Sequence, residues 1–197
     1  TFMRVLLKAC FGLNSYSQYN DTSDIGVDSE FAKTVGHQKY EGNWKEFYAE
    51  AKKSNERILI KTHDKPIDAG KTIYLVRDPR SVVVSFHNYL QSFSSLELMR
   101  AHTIMGATAF GAWGQHIMEW RPDKRYDTLI VHFEELVQNP LHIAQKVGDF
   151  LGIEMHGNSI PSFADLQKLN PAFFRSGSNK QNVSELNSNE LNLVNFL

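Results

Sequence analysis

The sequence predicts an α/β fold, in which three layers, α/β/α, surround a central parallel sheet. Short apolar runs typical of buried strands alternate with longer segments of helical periodicity. Three such runs occur, at 58–60, 72–76 and 128–133, and we expect a fourth strand before Thr1. Strands that alternate with helices pair in parallel and are covered on both faces. The 197 residues suffice for one domain, and we expect a single domain over 1–197.

The composition excludes several classes of protein. The net charge of −1 gives no general attraction to nucleic acid or to an anionic membrane. The single cysteine, Cys10, excludes an internal disulfide and fits a reducing, cytoplasmic location. No apolar run reaches the roughly 18 residues of a membrane span. The chain starts at Thr1 inside an amphipathic helix, without an initiator methionine, so we expect the domain to be incomplete at its N-terminus.

The first 53 residues predict two helices separated by a loop. A helix is expected over 1–12, ended by Gly12. Residues 14–41 are polar and rich in turn formers, which indicates a long loop that is mobile or covers a site. The helix at 44–53 carries four large or apolar residues on one face that we expect in the core. They are Trp44, Phe47, Tyr48 and Ala51.

Two polar side chains follow the strand at 58–60. Lys61 and His63 stand two positions apart, so an extended chain would direct both to the same side. A histidine suits proton abstraction from a hydroxyl, and a lysine suits the charge on a departing phosphate oxygen. A hydrogen-bonded structural histidine is the alternative that these residues leave open.

The strand at 72–76 leads through a turn into a helix. Asp78 is placed to cap that helix, and Pro79 to occupy its first position. Arg77 therefore ends the strand, where open α/β sheets bind ligands. Ser85 lies about two turns into the helix. An arginine and a serine hydroxyl suit a phosphate, while a salt bridge and helix packing are the alternative roles.

The rest of the chain predicts mainly helices. The helix after Pro79 continues to about 93, and its aromatic residues could line a pocket or belong to the core. Further helices are expected at 94–105, at 107–120, from Glu134, at 140–151, from Ser162 and weakly after Asn182. His102 and His116 have no third ligand at a metal-binding spacing, so we expect no metal.

The order of these motifs resembles the sulfotransferases that use 3′-phosphoadenosine 5′-phosphosulfate (PAPS). Residues 77–85 read R-D-P-R-S-V-V-V-S and differ from the family pattern R-[DN]-P-[KR]-D-V-x-V-S by Ser81. Residues 61–63 read K-T-H, similar to the start of the family's K-T-H-L-P, although Asp64 and Lys65 replace its last two residues. The resemblance implies a fold of the P-loop-containing nucleotide hydrolase type.

The same resemblance implies the roles of individual residues. In catalysis His63 would be the general base, and Lys61 would stabilise the leaving phosphate oxygen. Thr1 and Phe2 match the last two positions of the phosphosulfate loop, P-[KR]-S-G-[NT]-T-[WF], whose earlier part would precede Thr1. The other nucleotide-binding residues would be Arg77 and Ser85 at the 3′-phosphate, Phe133 and Phe163 at the adenine, and Arg175, Ser176 and Gly177 from an altered R-K-G segment.

The resemblance further implies transfer of a sulfuryl group from PAPS to a hydroxyl, or to an amine, which leaves adenosine 3′,5′-bisphosphate. No metal is required. The acceptor would be a small molecule or a glycan or lipid hydroxyl, and neither nucleic acid nor a membrane span is expected. The alternative is a non-catalytic module on the same fold that binds an adenosine nucleotide. The family's dimer signature is distorted here, so the oligomeric state stays open.

Overall fold

The computed structural model describes residues 1–21, 25–26, 28–93, 99–171, 173–174 and 183–195. In chain order the elements are α1 (Phe2–Phe11), β1 (Ser15–Ser17), α2 (Glu30–Val35), β2 (His37–Gln38), α3 (Trp44–Ala51), β3 (Ile60–Lys61), β4 (Thr72–Val76), α4 (Pro79–Phe93), α5 (Arg100–Ile104), α6 (Trp113–Trp120), β5 (Thr128–His132), α7 (Phe133–Gln138), α8 (Pro140–Leu151), α9 (Phe163–Leu169) and α10 (Ser188–Asn195). A short 3-10 turn, Val183–Glu185, precedes α10.

The chain divides into two compact units. Unit 1 comprises Thr1–Thr62 and Pro140–Pro171, and unit 2 comprises His63–Asn139 and Ala172–Leu197. Unit 1 contains a sheet in the order β2-β1-β3, and unit 2 contains the pair β4-β5. Every strand pair is parallel, so the prediction of an α/β fold with parallel strands is confirmed.

The core of unit 1 lies between α1 and the helices α2 and α8, and α9 packs on α2. α1 ends because Gly12 adopts a left-handed conformation with φ 67°, and its N–H bonds to the last turn. The fully buried side chains of this core include Cys10, whose thiol is 0% exposed. The others below 2% exposure are Val5, Leu6, Val35, Ile143, Ala144, Val147 and Leu166.

The expectation of a long loop over 14–41 is wrong. This segment contributes β1, the central strand of the unit 1 sheet, and β2 at one edge. It also contains α2, which begins because the Ser29 side chain accepts a hydrogen bond from the Ala32 N–H at 2.9 Å. Gly36, with φ 65°, ends α2. The apolar signal is weak because β1 is only the three residues Ser-Tyr-Ser.

The aromatic face of α3 also differs from the prediction. None of its residues is buried, so the prediction that Trp44, Phe47, Tyr48 and Ala51 belong to the core is wrong. The aromatic rings instead form a half-buried stack that reaches the sheet: Phe47 lies 4.6 Å from Tyr16 of β1 and 4.6 Å from Tyr40, measured between ring centroids. Aromatic rings gain from such contacts without full burial.

Unit 2 contains the strands predicted at 72–76 and 128–133. They pair from Thr72 opposite Thr128 to Val76 opposite His132. The prediction that both faces of the sheet are buried is wrong, because Leu75 is 41% and Ile130 is 39% exposed. A separate cluster of apolar side chains joins α4 and α5 to the last helices of the chain, and it consists of Val83, Val84, Ile104, Leu186 and Val194.

Several helix boundaries agree with the prediction. α4 begins at Pro79, and α8 covers Pro140–Leu151 and is followed by Gly152 in the left-handed region. Ser162 caps α9 in a reciprocal pair of hydrogen bonds with Asp165. α6 starts at Trp113 rather than at Ala107. Among the described residues, no helix is long and apolar enough to cross a membrane.

Candidate functional site

Arg77 lies directly after β4, as predicted, and is half-buried. Its guanidinium carbon is 4.5 Å from the centroid of the Phe133 ring, at the start of α7. Its backbone carbonyl accepts a hydrogen bond of 3.0 Å from Trp113 Nε1 of α6. Two residues predicted to bind the nucleotide, Arg77 and Phe133, therefore lie together. A guanidinium group over an aromatic ring is attracted to the ring face as a cation.

The turn after Arg77 is fixed by carboxylates. Asp78 accepts hydrogen bonds of 2.9 Å from both the backbone N–H and the side-chain Nε of Arg80. The Asp78 N–H donates to Glu134 Oε1 at 3.2 Å. Burial lowers the pKa of Arg77, and the charges of Glu134 and Asp78 oppose that shift. Arg77 thus has carboxylates nearby, and an incoming anion would have to compete with them.

Ser85 lies on α4 and is half-buried. It belongs to unit 2, with Arg77, His63 and Phe133. The segment Arg175–Gly177, expected at the same phosphate through Arg175, Ser176 and Gly177, lies outside the described residues.

His63 is exposed, and its ring lies beside an aromatic row. Its ring centroid is 4.9 Å from that of Phe110, which is 5.8 Å from Phe86. Phe86 stacks on Tyr89 with centroids 6.3 Å apart. The helix α4 and the segment before α6 therefore supply rings next to the predicted general base. An apolar ring-containing molecule would find contact area there.

The backbone next to His63 is held by α6. Burial lowers the pKa of His116, and the nearby His63 backbone opposes that shift. Trp120 Nε1 donates to the Asp64 carbonyl oxygen at 2.9 Å. His116 Nδ1 lies 2.8 Å from the hydroxyl of Tyr74 on β4. Sequence spacing does not predict these contacts, because they join residues far apart in the chain.

In unit 1, Lys61 ends β3 and is engaged by a buried carboxylate. Its Nζ lies 3.2 and 3.3 Å from the two carboxylate oxygens of Asp21. The same ammonium group is 5.0 Å from the centroid of the Tyr19 ring. The Lys61 side chain is 23% exposed and that of Asp21 only 7%. The predicted catalytic lysine is therefore fixed by a counter-charge that the sequence did not indicate.

Arg4 of α1 is the second cation at Asp21. Its Nη1 lies 3.2 Å from Asp21 Oδ2, and its Nε donates to Ser15 Oγ at 2.7 Å. Its Nη2 donates to the Ser15 carbonyl and lies 2.8 Å from His37 Nδ1. The Arg4 side chain is 6% exposed. The sequence does carry a signal for this residue, since Arg4 is a charge on the apolar face of an amphipathic helix.

The charges at this cluster shift the pKa values of its members. Burial raises the pKa of Asp21, but the charge of Lys61, hydrogen bonds from Ser17 and Lys61, and the charge of Arg4 outweigh it, so the net shift is downward. Burial and the charge of Arg4 lower the pKa of His37. The ring of His37 accepts from Arg4 at Nδ1, which requires the proton on Nε2 in the neutral form. Asp21 is therefore ionised and His37 neutral near pH 7.

The other predicted residues of unit 1 lie at helix starts. Thr1 and Phe2 are half-buried at the start of α1. Phe163 is the first residue of α9 and is half-buried. Within the described ranges, no group of three or more His, Cys, Asp or Glu side chains could hold a metal ion.

Comparison with known proteins identifies the class. The family model described as "Sulfotransferase domain" matches residues 14–186, which is well over half of the chain, and the chain belongs to this family. The fold agrees: the crystal structure of mouse sulfotransferase SULT7A1 complexed with PAP superimposes with a TM-score of 0.63 at 16% identity. That match covers 96% of this chain and 85% of the other. The predicted fold of the P-loop type is confirmed.

Individual curated relatives match over shorter stretches. Sulfotransferase 1B1 of Mus musculus is 31% identical over 116 residues, or 51% of this chain and 38% of that protein. Sulfotransferase 2A2 of Rattus norvegicus is 28% identical over 98 residues, or 46% of this chain and 34% of that protein. The aligned stretch thus spans little more than a third of the length of these relatives.

Proposed function

We propose that this chain belongs to an enzyme that transfers a sulfuryl group from PAPS to an acceptor hydroxyl, or to an amine. Membership of the sulfotransferase family carries this proposal. The residue chemistry supports it, since a lysine ends one strand, an exposed histidine follows it by two positions, and an arginine directly follows the next strand. The single cysteine fits the cytoplasm as its location.

His63 is the proposed general base. Its neutral imidazole takes the proton of the acceptor hydroxyl while the acceptor oxygen forms a bond to sulfur. The bond between sulfur and the bridging phosphate oxygen breaks, and that oxygen keeps the electron pair. The products are the sulfated acceptor and adenosine 3′,5′-bisphosphate. Such an in-line transfer depends mainly on positioning and on stabilisation of the leaving charge.

Lys61 is the proposed partner of the leaving phosphate oxygen. Its ammonium group has three N–H donors, and the carboxylate of Asp21 occupies part of this capacity. Asp21 limits the motion of the long side chain. This restraint supports a role in which the charge must be in place before the transition state forms.

The proposed nucleotide-binding residues are those that match the family motifs. Arg77 and Ser85 would meet the 3′-phosphate, and Phe133, which already stacks on Arg77, would meet the adenine. Thr1 and Phe2 would end the phosphosulfate loop at α1, because backbone N–H groups at a helix start bind anions. Phe163 is proposed at the adenine, and Arg175, Ser176 and Gly177 at the 3′-phosphate. No metal takes part in this proposal.

The acceptor is proposed to be a small molecule with a hydroxyl on or near a ring. The aromatic row of Phe110, Phe86 and Tyr89 begins at His63 and offers flat apolar contacts. One relative, from Cavia porcellus, is named 3-beta-hydroxysteroid sulfotransferase and is 27% identical over 90 residues. A rigid apolar alcohol of this type is a suitable first acceptor to test.

The test uses His63→Ala in the full-length protein with 35S-labelled PAPS and a set of alcohol acceptors. We expect turnover to fall about 10²- to 10⁴-fold, the usual contribution of a general base. Binding of adenosine 3′,5′-bisphosphate should be unchanged. The control is His156→Ala, because His156 is also exposed and lies in unit 1. Retained turnover in His63→Ala would refute the assignment of the base. Binding without turnover in the unchanged protein would favour the non-catalytic nucleotide-binding module.

A further inference from the structure

Lys61, the proposed partner of the leaving oxygen, belongs to a row of three charged side chains in unit 1. Its Nζ lies 3.2 and 3.3 Å from the two carboxylate oxygens of Asp21. Asp21 Oδ2 in turn lies 3.2 Å from Nη1 of Arg4. One buried carboxylate is therefore shared by two cations, and it contacts Lys61 through both of its oxygens.

Arg4 is bound to the protein through all three nitrogens of its guanidinium group. Nη1 contacts Asp21, Nε donates to Ser15 Oγ at 2.7 Å, and Nη2 donates to the Ser15 carbonyl oxygen at 3.0 Å. Nη2 also lies 2.8 Å from His37 Nδ1. The Arg4 side chain is only 6% exposed. Arg4 is thus a fixed support for Asp21, since its planar group is already matched to partners on several sides.

The backbone at Asp21 has a conformation that residues other than glycine seldom adopt. The φ angles are 59° at Asn20 and 39° at Asp21, both in the left-handed region. The Asn20 side chain fastens this turn to Tyr40: Nδ2 donates to the Tyr40 carbonyl oxygen at 3.3 Å, and Oδ1 accepts from the Tyr40 N–H at 3.4 Å. Strained backbone persists only where the surrounding contacts impose it, and it is concentrated at functional sites.

The cluster carries one more positive than negative charge, and Lys61 is its most exposed member. The side chains of Arg4 and Asp21 are 6% and 7% exposed, whereas that of Lys61 is 23% exposed. A carboxylate paired with Lys61 alone would cancel the attraction of the ammonium group for an anion. Because Arg4 offsets the charge of Asp21, the carboxylate can hold Lys61 while the cluster as a whole stays positive.

We propose that Asp21 and Arg4 are positioning residues for Lys61: Asp21 fixes the ammonium group, and Arg4 offsets the charge of Asp21 so that Lys61 attracts the leaving phosphate oxygen. The proposal deepens the proposed function and rests on Lys61 as the partner of that oxygen. A charge that is fixed in advance stabilises the transition state without reorganisation. Loss of Asp21 should therefore slow catalysis only while Lys61 is present.

The test is a double-mutant cycle in the full-length protein with 35S-labelled PAPS. We expect Asp21→Asn to lower kcat about 10- to 10²-fold when Lys61 is present. In the Lys61→Met background the same change should alter kcat less than about threefold, because the residue it positions is gone. Circular dichroism at the assay temperature establishes that each variant is folded.

The control for this cycle is Glu154→Gln, which removes an exposed carboxylate of the same unit and should leave kcat unchanged. Equal losses from Asp21→Asn in both backgrounds would show a purely structural role and overturn the proposal. A higher kcat in Asp21→Asn would also overturn it, since the carboxylate would then only weaken the charge of Lys61.

A pair of variants tests the charge of Arg4 and leaves Asp21 paired with Lys61. Arg4→Lys keeps the positive charge, whereas Arg4→Met removes it. We expect kcat to fall about tenfold in Arg4→Met and to be partly retained in Arg4→Lys. Equal kcat in the two folded variants would overturn the role of Arg4 in offsetting the charge of Asp21.

A measurement without substrate separates this proposal from the proposed function. Nitrogen-15 NMR detects a lysine ammonium group whose protons exchange slowly with water. We expect such a signal for Lys61, assigned by its absence in Lys61→Met, and we expect it to disappear in Asp21→Asn. Lys33 is the internal comparison, because its pair with Glu30 is exposed and should exchange faster.

The outcomes of the NMR experiment are distinct from those of the activity assay. A missing Lys61 signal in the unchanged protein, or a signal retained in Asp21→Asn, would overturn the positioning role of Asp21. An unchanged protein that binds adenosine 3′,5′-bisphosphate without turnover would overturn the sulfotransfer proposal instead. The ammonium signals would then still decide whether Asp21 fixes Lys61.

Discussion

The two units hold their proposed catalytic side chains by opposite means. In unit 1, Lys61 is held by charge, through a carboxylate that is itself paired with the buried Arg4. In unit 2, the side chain of His63 is exposed, and the neutral side chain of Trp120 binds the backbone of the next residue, at the Asp64 carbonyl oxygen. The first arrangement restrains the functional group directly. The second restrains the chain that carries it and leaves the imidazole accessible.

The comparison shows where each arrangement is vulnerable. A buried ion pair is costly to form, and removal of one member leaves a charge without compensation. Neutral hydrogen bonds to a backbone contribute less, and their loss changes geometry more than stability. Unit 1 should therefore respond to charge removal with unfolding. Unit 2 should respond to loss of its polar side chains with slower catalysis.

The largest expected effect is in Asp21→Asn. This change leaves Arg4 and Lys61 without their shared counter-charge, so we expect the free energy of unfolding to fall by about 3–5 kcal/mol. Urea denaturation followed by circular dichroism measures it. The control is Asp123→Asn, because Asp123 is exposed. A loss below about 1 kcal/mol would mean that the Asp21 cluster is hydrated like a surface ion pair. It would contradict the expectation that charge removal destabilises unit 1.

Arg77→Lys should give the next effect. Lysine keeps the charge but loses the planar group that stacks on Phe133 and can bind a phosphate with two donors. We expect the Kd of adenosine 3′,5′-bisphosphate to rise about tenfold, which corresponds to about 1.4 kcal/mol. Isothermal titration calorimetry measures it. Arg80→Lys is the matched control, since Arg80 is exposed and bound to Asp78. Equal weakening in both variants would argue for a non-specific effect of charge geometry.

Acid should destabilise unit 1 through Asp21. The folded pKa of Asp21 lies below its unfolded value, so its contribution is complete above the unfolded pKa of about 3.9. It is lost as the pH falls through the folded value. We expect the free energy of unfolding to decline below about pH 4, and less steeply in Asp21→Asn. Urea midpoints between pH 7 and pH 3 test this. Parallel declines in the two proteins would assign the effect to other carboxyl groups.

The smallest effect is expected for an exposed pair in unit 1. Lys33 Nζ lies 2.7 Å from Glu30 Oε1, but the two side chains are 66% and 73% exposed. Solvent screens such a pair. Lys33→Ala should therefore leave the urea midpoint unchanged, unlike Asp21→Asn. If Lys33→Ala lowered the urea midpoint as much as Asp21→Asn does, burial could not explain why one ion pair stabilises the protein more than the other.

The sequence predicted those parts of the fold that local chemistry determines. Gly12 and Gly152 end helices because a residue in the left-handed conformation directs the chain so that backbone N–H groups bond the last carbonyl groups. Pro79 starts α4 because the first position of a helix needs no N–H donor. β1 was missed because its serines are buried through hydrogen bonds rather than through apolar character. Ser15 is 4% exposed and bonds Arg4, a partner 11 residues away.

In the candidate site, too, local motifs predict some residues, whereas others depend on partners far away in the chain. Arg77 and His63 were found because each belongs to a short, recognisable motif. Asp21 binds Lys61, and Trp120 binds the Asp64 carbonyl next to His63, across long separations in the chain, and no local pattern records such contacts. The cap at Ser29 could have been predicted, since Ser29 precedes an apolar pair and Gly36 ends the helix.

Cys10 gives unit 1 an internal reporter. It is the one cysteine in the sequence, it is fully buried, and burial raises the pKa of its thiol. An alkylating reagent can therefore reach it only when α1 separates from its neighbours. The labelling rate then follows the free energy of that opening without an added probe. Weakening the Arg4 cluster on the same helix would be visible as faster alkylation long before the whole protein unfolds.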